Sequence, residues 1–147
     1  MNNILAGIDF SDVSPAVIDR SAHLARALSC QLWLVHVAAP DPDFVGYSAG
    51  PQGVRDQVAS ALRQEHRELQ AEADRLRETG VNTAALLLQG PTVDTLIDEA
   101  ERLEAGWVVV GSHGRGALYH LLVGSVTDGL IRRARCPVVV VPVRRPD

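Results

Sequence analysis

The chain has 147 residues, 46% of them apolar and 22% charged, which is the composition of an ordinary folded protein and not of a disordered or fibrous one. A chain of this length can bury enough surface to fold alone, and we expect residues 1–147 to form one domain. Its apolar runs are far shorter than the roughly 18 residues that span a bilayer, and its first residues lack the basic region of a signal peptide. We therefore expect no membrane insertion and a cytoplasmic location.

The charge of the chain is mildly acidic, with a formal net charge of −4, which argues against nucleic-acid binding. All 14 basic residues are arginines. The absence of lysine excludes a P-loop, which places a lysine on the phosphates, and it excludes Schiff-base chemistry, which needs an amine. Any bound phosphate is therefore expected to be held by backbone N–H groups, hydroxyls or arginine.

The cysteines and histidines show no spacing typical of a metal site. We expect Cys30 and Cys136 to be buried, reduced thiols in a reducing compartment. Among the histidines, His113 stands out because it lies between two glycines. We expect it to form no catalytic pair, since no carboxylate or nucleophile is near it in the sequence.

Runs of valine, leucine and isoleucine alternate along the chain with segments of helical spacing. Outside this alternation lie an irregular loop over 38–54, rich in proline and glycine, and a polar tail over 144–147. In chain order we predict a strand at Asn3–Ile8, a helix opening at Ser14, a strand at Gln31–Val37, a helix at Arg55–Thr79 capped by Gly80, a strand at Val81–Gln89, a helix at Val93–Leu103 closed by Gly106, a strand at Trp107–Val110, a loop at Gly111–Val123, a helix at Ser125–Ala134 and a strand at Val138–Val141.

Nearly solid apolar strands that alternate with helices predict an α/β fold, a doubly wound parallel sheet with helices on both faces. We expect five strands in a single domain, without an internal repeat. In such folds ligands bind at the carboxyl ends of the strands, where the strand order reverses. The loops after the first and fourth strands are therefore the candidate site.

A glycine pattern follows the fourth predicted strand. Gly111 and Gly114 are separated by two residues, and nine residues later Gly124-Ser125 opens a helix. Glycines let the backbone approach an anion closely, and the amides at a helix start attract negative charge. Each element taken alone is more often a turn or a helix cap, but the joint pattern indicates a phosphate-binding loop.

This pattern, with Cys136-Pro137 and a valine-rich strand behind it, resembles the nucleotide-binding signature of the ATP-binding branch of the universal stress protein family. The opening segment ILAGIDFSDVS and the LVHV of the second strand are also similar to that family. The resemblance implies the Rossmann-like, adenine nucleotide α-hydrolase-like fold with strand order 3-2-1-4-5. It also implies ATP as the ligand.

The family's binding residues map onto this sequence position by position. The resemblance implies that Asp9 contacts the ribose or adenine end of ATP, and that Val37 meets the adenine through its backbone. Along the sugar and phosphates it implies Gly111, Gly114 and Arg115, and at the phosphate tail Gly124, Ser125, Val126 and Thr127.

The sequence leaves two roles open for Asp9. It is an early carboxylate at the end of a strand, and it can serve either as a ligand group or as the acceptor of a turn or helix cap, shared with Asp12. As a ligand group it would also help to hold Mg²⁺ or Mn²⁺ together with the phosphates, because hard cations take oxygen ligands.

The last strand, Val138–Val143, would lie at the edge of the sheet in the order 3-2-1-4-5. Because a bare apolar edge invites pairing, we expect a second copy to pair there across a two-fold axis, as the family does. The alternative is that the tail blunts this edge.

Three functions stay open. The leading one is a regulatory homodimer that binds ATP, engages an unidentified protein partner and is not an enzyme. The second is a slow ATP-hydrolysing or nucleotide-transferring enzyme of the same fold, which the missing lysine and the absence of a paired base disfavour. The third is an interaction module without nucleotide.

Overall fold

The computed structural model describes residues 3–38, 52–113 and 123–143, with the side chains of the second segment described from residue 56 onward. Five strands alternate with four helices in these segments. In chain order they are β1 (Asn3–Gly7), α1 (Ser14–Leu28), β2 (Leu32–Ala38), α2 (Gln52–Glu78), β3 (Thr83–Gln89), α3 (Thr92–Arg102), β4 (Ala105–Gly111), α4 (Ser125–Arg133) and β5 (Val138–Val141).

The five strands form one parallel sheet, as the sequence predicts, and their order β3-β2-β1-β4-β5 is the one that the family resemblance implies. From β1 the chain first builds outward to β2 and β3, then crosses back to place β4 on the other side of β1. The strand order therefore reverses between β1 and β4. Ligands of doubly wound sheets bind outside the carboxyl ends of the strands at such a point.

Helices cover both faces of the sheet, which also confirms the prediction. On one face α1 and α2 pack on alternate strand residues, among them Ile4, Leu32 and Leu34, which are fully buried. On the other face α3 and α4 pack on Leu5, Val35 and further buried residues. Successive side chains of a strand point to opposite faces, so strands covered on both sides must be apolar throughout.

The ends of the long helix differ slightly from the prediction. The helix α2 begins at Gln52, and β2 extends to Ala38, so the predicted loop over 38–54 is shorter at both ends. At its carboxyl end Gly80 has φ 85° and donates its N–H to the Arg77 carbonyl at 2.9 Å. This left-handed glycine cap is the one that the sequence predicts.

The predicted end of the third helix is wrong. The helix α3 ends at Arg102, and Gly106 lies within β4. The left-handed residue that turns the chain is Glu104, with φ 50°, and the Leu103 carbonyl accepts a hydrogen bond from the Asn3 amide at 2.6 Å. A tertiary contact from β1 therefore helps to end this helix without a glycine.

No helix in the described segments has the length and apolar character needed to cross a membrane.

The helices α3 and α4 lie close together at Gly129. A Cβ atom at this position would lie 2.9 Å from Val93 Cγ2 and 3.1 Å from Val93 Cγ1. Across the same helix pair Arg133 forms an ion pair with Asp94 at 2.7 Å. The glycine thus sets how closely α4 lies against α3.

We expect Gly129→Ala to destabilise the fold by about 1–3 kcal/mol, although alanine favours a helix, because the branched Val93 side chain has little freedom to move away. Urea unfolding measures the change. In the double variant Gly129→Ala/Val93→Ala the loss should be smaller than the sum of the single losses. A Gly129→Ala protein as stable as the wild type would contradict this account of the helix packing.

Candidate functional site

A cleft of about 740 Å³ lies at the carboxyl ends of the strands, at the point where the strand order reverses. The end of β1 contributes Gly7 and Ile8, and β4 contributes Val110 and Gly111. Further walls come from α2 and from the first residues of α4. The position is the one expected for a ligand site in a doubly wound sheet.

Seven of the nine predicted binding residues line this single cleft. Gly114 and Arg115 lie outside the described residues. The seven are Asp9, Val37, Gly111, Gly124, Ser125, Val126 and Thr127. Residues that are more than 110 positions apart in the chain are therefore brought to one site.

Asp9 lies at the corner between β1 and α1. Its carboxylate accepts hydrogen bonds from the Ser11 N–H at 2.9 Å and the Ser14 hydroxyl at 3.1 Å. It also lines the cleft. The turn role and the position at the site are thus combined in one residue, and the hydrogen bonds fix the carboxylate against α1.

Val37 lies near the end of β2, beyond the last residue of this strand that pairs with β1. The paired register of these strands ends at Gly7 and Val35, and the Val35 carbonyl still accepts the Ile8 N–H at 2.8 Å. The backbone groups of residues 35 and 37 point to the same side of a strand, because directions alternate. The N–H and C=O of Val37 therefore point toward the gap beyond β1.

Gly111 is the last residue of β4, and its missing side chain has a specific reason. A Cβ atom there would lie 2.4 Å from Val13 Cγ1, far inside contact distance. Val13, the residue just before α1, occupies this space and is itself buried. Gly111 thus lets the start of α1 lie directly on the end of β4 at the site.

The N-terminus of α4 faces the cleft without a side-chain cap. Gly124 precedes the helix with an extended backbone, and no side chain caps it. The first amides of a helix have no partner within the helix, and they attract anions. The next residues, Ser125, Val126 and Thr127, line the cleft at this end.

Two hydrogen bonds connect this helix start to the end of β4. The Gly124 N–H donates to the Ser112 carbonyl at 2.7 Å, and the Thr127 hydroxyl donates to the Gly111 carbonyl at 2.7 Å. The Thr127 hydroxyl proton is therefore committed to the protein, so this hydroxyl positions the helix start. Its backbone amide belongs to the first turn of α4.

The expectation that His113 has no nucleophile nearby is wrong in one respect. Its neighbour Ser112 places its hydroxyl 3.2 Å from His113 Nδ1. The same hydroxyl accepts the Val143 N–H at 3.1 Å, Ser112 is 8% exposed, and it does not line the cleft. The contact therefore holds the chain after β5 and presents no nucleophile to the site.

Sequence analysis did not identify the wall that α2 contributes. Val58, Leu62 and Glu65 of this helix line the cleft, together with His36 of β2. His36 Nδ1 donates to the Ile8 carbonyl at 2.6 Å, and His36 Nε2 lies 3.1 Å from Glu65 Oε2. The one indication of this wall in the sequence is His36, a polar residue inside an otherwise apolar strand, which needs a polar partner from another element.

The described lining of the cleft carries few charges. Its titratable side chains are Asp9, His36, Glu65 and His113, and it contains no arginine. No group of three or more potential metal-ligating side chains occurs within the described segments. A cation there would depend on oxygens of the ligand in addition to Asp9.

The two thiols are half-buried instead of buried, and both are free. Burial raises the pKa of the Cys30 thiol and of the Cys136 thiol. Both cysteines are therefore poor nucleophiles at neutral pH.

Comparison with known proteins agrees with this fold. A sequence profile of the Universal stress protein family matches residues 1–142. A universal stress protein of Thermus aquaticus is 31% identical over 139 residues, covering 94% of this chain and 96% of the relative. Universal stress protein YxiE of Bacillus subtilis is 26% identical over 145 residues, covering 95% of this chain and 98% of the relative.

Solved structures share the architecture as well. Universal stress protein UspA from Lactobacillus plantarum is similar with a TM-score of 0.71 at 25% identity, covering 95% of this chain and 97% of that one. A universal stress protein in complex with cAMP has a TM-score of 0.66 at 24% identity, with 96% of each chain covered. A family protein of Arabidopsis thaliana with AMP bound has a TM-score of 0.69 at 18% identity, covering 98% and 93%. The chain belongs to the universal stress protein family.

Proposed function

We propose that this chain binds ATP in the cleft between β1 and β4 and acts as a nucleotide-responsive regulatory homodimer in the stress response. The observation that carries the proposal is the arrangement at the cleft. Outward backbone groups at Val37, a carboxylate at Asp9 and an uncapped helix start at Ser125 line one space of about 740 Å³. These groups match a base, a sugar and a phosphate tail in that order.

The base end of the nucleotide would meet the backbone of Val37. Its N–H and C=O offer one donor and one acceptor beyond the end of β1, and an adenine presents the complementary pair on its N1 and N6 edge. Apolar side chains beside them, Val58 and Leu62 of α2, would cover the ring. Asp9 offers a carboxylate acceptor for ribose hydroxyls.

The phosphate tail would lie at the start of α4. The amides of Ser125, Val126 and Thr127 and the positive end of the helix dipole supply the attraction that lysine supplies in a P-loop. Arg115 and Gly114, in the segment outside the described residues, would complete this end. Mg²⁺ or Mn²⁺ would bind chiefly through phosphate oxygens, with Asp9 as the candidate protein ligand.

Two proteins of the same fold support adenine nucleotides as the ligand class. One was solved in complex with cAMP and another with AMP bound. Both share the strand arrangement that creates the cleft at the switch point. The three-phosphate tail of ATP is supported here by the glycine pattern and the uncapped start of α4.

Binding without rapid turnover is the second part of the proposal. The hydroxyl next to His113, that of Ser112, accepts the Val143 N–H and is not part of the described lining. Asp9 lines the cleft, and its carboxylate accepts two hydrogen bonds that hold it in the turn. ATP would thus be held as a signal that changes which regulatory protein the dimer engages, in the cytoplasm.

Gentle purification followed by identification of the retained nucleotide tests the proposal, with product analysis after ATP is added. We expect bound ATP that is not consumed over many minutes. Rapid formation of ADP would instead support the alternative of an ATP-hydrolysing enzyme. A protein that neither retains nor binds nucleotide would leave the alternative of a nucleotide-free interaction module.

We expect Ser125→Pro to weaken ATP binding about tenfold, because proline at the first helical position removes one amide donor while fitting the helix backbone. Isothermal titration with ATP and with adenosine measures the change. Ser125→Ala is the matched control, since it removes the same hydroxyl and keeps the amide. Equal losses for ATP and adenosine in Ser125→Pro would place the phosphates away from α4.

The homodimer would form through β5, which lies at the edge of the sheet. The Pro137 carbonyl accepts a hydrogen bond from Val108 of β4, and the Val141 carbonyl accepts one from Ser112 just after β4. The backbone groups of Val138 and Val140 therefore point outward from the sheet. This outward edge is a template for an antiparallel copy of itself across a two-fold axis.

We expect light scattering to give twice the chain mass for the wild type and a shift toward monomer for Val140→Pro. Proline removes an outward N–H donor and leaves the ladder with β4 intact. Val140→Ala is the control for the lost side chain and should remain dimeric. A wild-type monomer at micromolar concentration would rule out the dimer.

A further inference from the structure

The side chain of His36 connects three elements at the base end of the cleft. It extends from β2, donates from Nδ1 to the Ile8 carbonyl at the end of β1, and places Nε2 against Glu65 of α2. His36 is 8% exposed, and the Phe10 ring packs against it at a tilt of 60°, with the ring centroids 4.8 Å apart. Such a buried, fully bonded ring fixes the relative position of the three elements.

The bond to Ile8 has a consequence for Val37, the next residue of β2. In a continued parallel ladder the Ile8 carbonyl would be the neighbour of the Val37 N–H. The Ile8 carbonyl instead accepts a hydrogen bond from His36 Nδ1 at 2.6 Å. After Ile8 the chain turns away from β2 through Phe10, which has φ 59°. The ring therefore helps to keep the Val37 N–H on an open edge.

The contact with Glu65 positions the helix wall. In its carboxyl half α2 is anchored by Leu69, Ala73 and Leu76, all at most 2% exposed. In the half nearer the cleft, Val58 and Leu62 are only partly covered and Ala61 is exposed. Among the described residues of this half, Glu65 holds the helix to the sheet through a hydrogen bond to a buried partner.

We propose that His36 and Glu65 are positioning residues for purine recognition, which keep the Val37 backbone edge open and hold α2 over the base. The inference rests on the proposed nucleotide site and deepens it. Neither side chain is assigned a direct contact with the ligand. Their effect acts through Val37 and through the wall formed by Val58 and Leu62.

Both ring nitrogens face acceptors, a carbonyl at the end of β1 and a carboxylate of α2, so the ring connects these two elements only while both contacts are made.

Glu65→Ala, Glu65→Gln and the control Glu68→Ala test the inference. Glu68 is an exposed carboxylate on the same helix that bonds to Gln64. Hydrogen exchange of residues 56–65 in the protein without ligand is the first measurement. Adenosine affinity is the second measurement, because adenosine presents the base and the sugar without the phosphates.

We expect Glu65→Ala to speed exchange over residues 56–65 but not around Leu69 and Leu76, and to weaken adenosine binding about tenfold. Glu65→Gln should keep its affinity, since its amide can donate to a ring that is protonated only at Nδ1.

These measurements distinguish a failure of the positioning role from a failure of the proposed nucleotide binding. Exchange in Glu65→Ala equal to that in Glu68→Ala would overturn the positioning role, whether or not the protein binds a nucleotide. Faster exchange with unchanged adenosine affinity would overturn the role in purine recognition. A wild-type protein that binds neither ATP nor adenosine would refute the proposed function, while the exchange data would still decide whether the pair holds α2.

Discussion

The close contact between Gly111 and Val13 is the constraint on which the geometry of the site depends. The end of β4 can lie against the start of α1 only because residue 111 has no side chain, since a Cβ atom would be 2.4 Å from Val13 Cγ1. This contact brings the corner after β1, with Asp9, next to the segment that leads into α4. The Thr127 hydroxyl then fastens α4 to the Gly111 carbonyl. The reversal of strand order thus becomes a cleft because one glycine permits the two loops to meet.

The two ends of the cleft are built differently: backbone amides line the end at α4, and side chains fix the geometry of the end at β2. At the α4 end the protein offers amides and a helix dipole, which suits phosphate in a chain that contains no lysine. At the β2 end the open backbone edge of Val37 is bordered by His36 and Glu65, whose bonds reach β1 and α2. Backbone groups of α4 therefore supply the proposed phosphate end, and the contacts of His36 position the proposed base end.

The sheet could be predicted because each strand is covered on both faces and is therefore apolar throughout, and the helices because they show a stripe of apolar residues. The site residues at strand ends and at the start of α4 followed from the family resemblance combined with this order. The wall of α2 could not be predicted, since Glu65 is one of many charged residues on a surface helix and only the fold brings it to His36. Likewise, the end of α3 depends on Asn3, a hundred residues away in the chain. The sequence indicated for Gly111 a close approach to an anion, which stays a prediction, and the structure shows a packing reason for this glycine, the contact with Val13.

The central claim is that one nucleotide occupies the cleft from Val37 to the start of α4. The most direct measurement is an NMR titration of the ¹⁵N-labelled protein with ATP, followed through the assigned backbone amides. The account predicts that the largest shifts occur at Val37 and at Gly124, Ser125, Val126 and Thr127, and that adenosine alone moves Val37 without moving the amides of α4. Shifts concentrated elsewhere on the sheet, or no shifts at millimolar ATP, would contradict it.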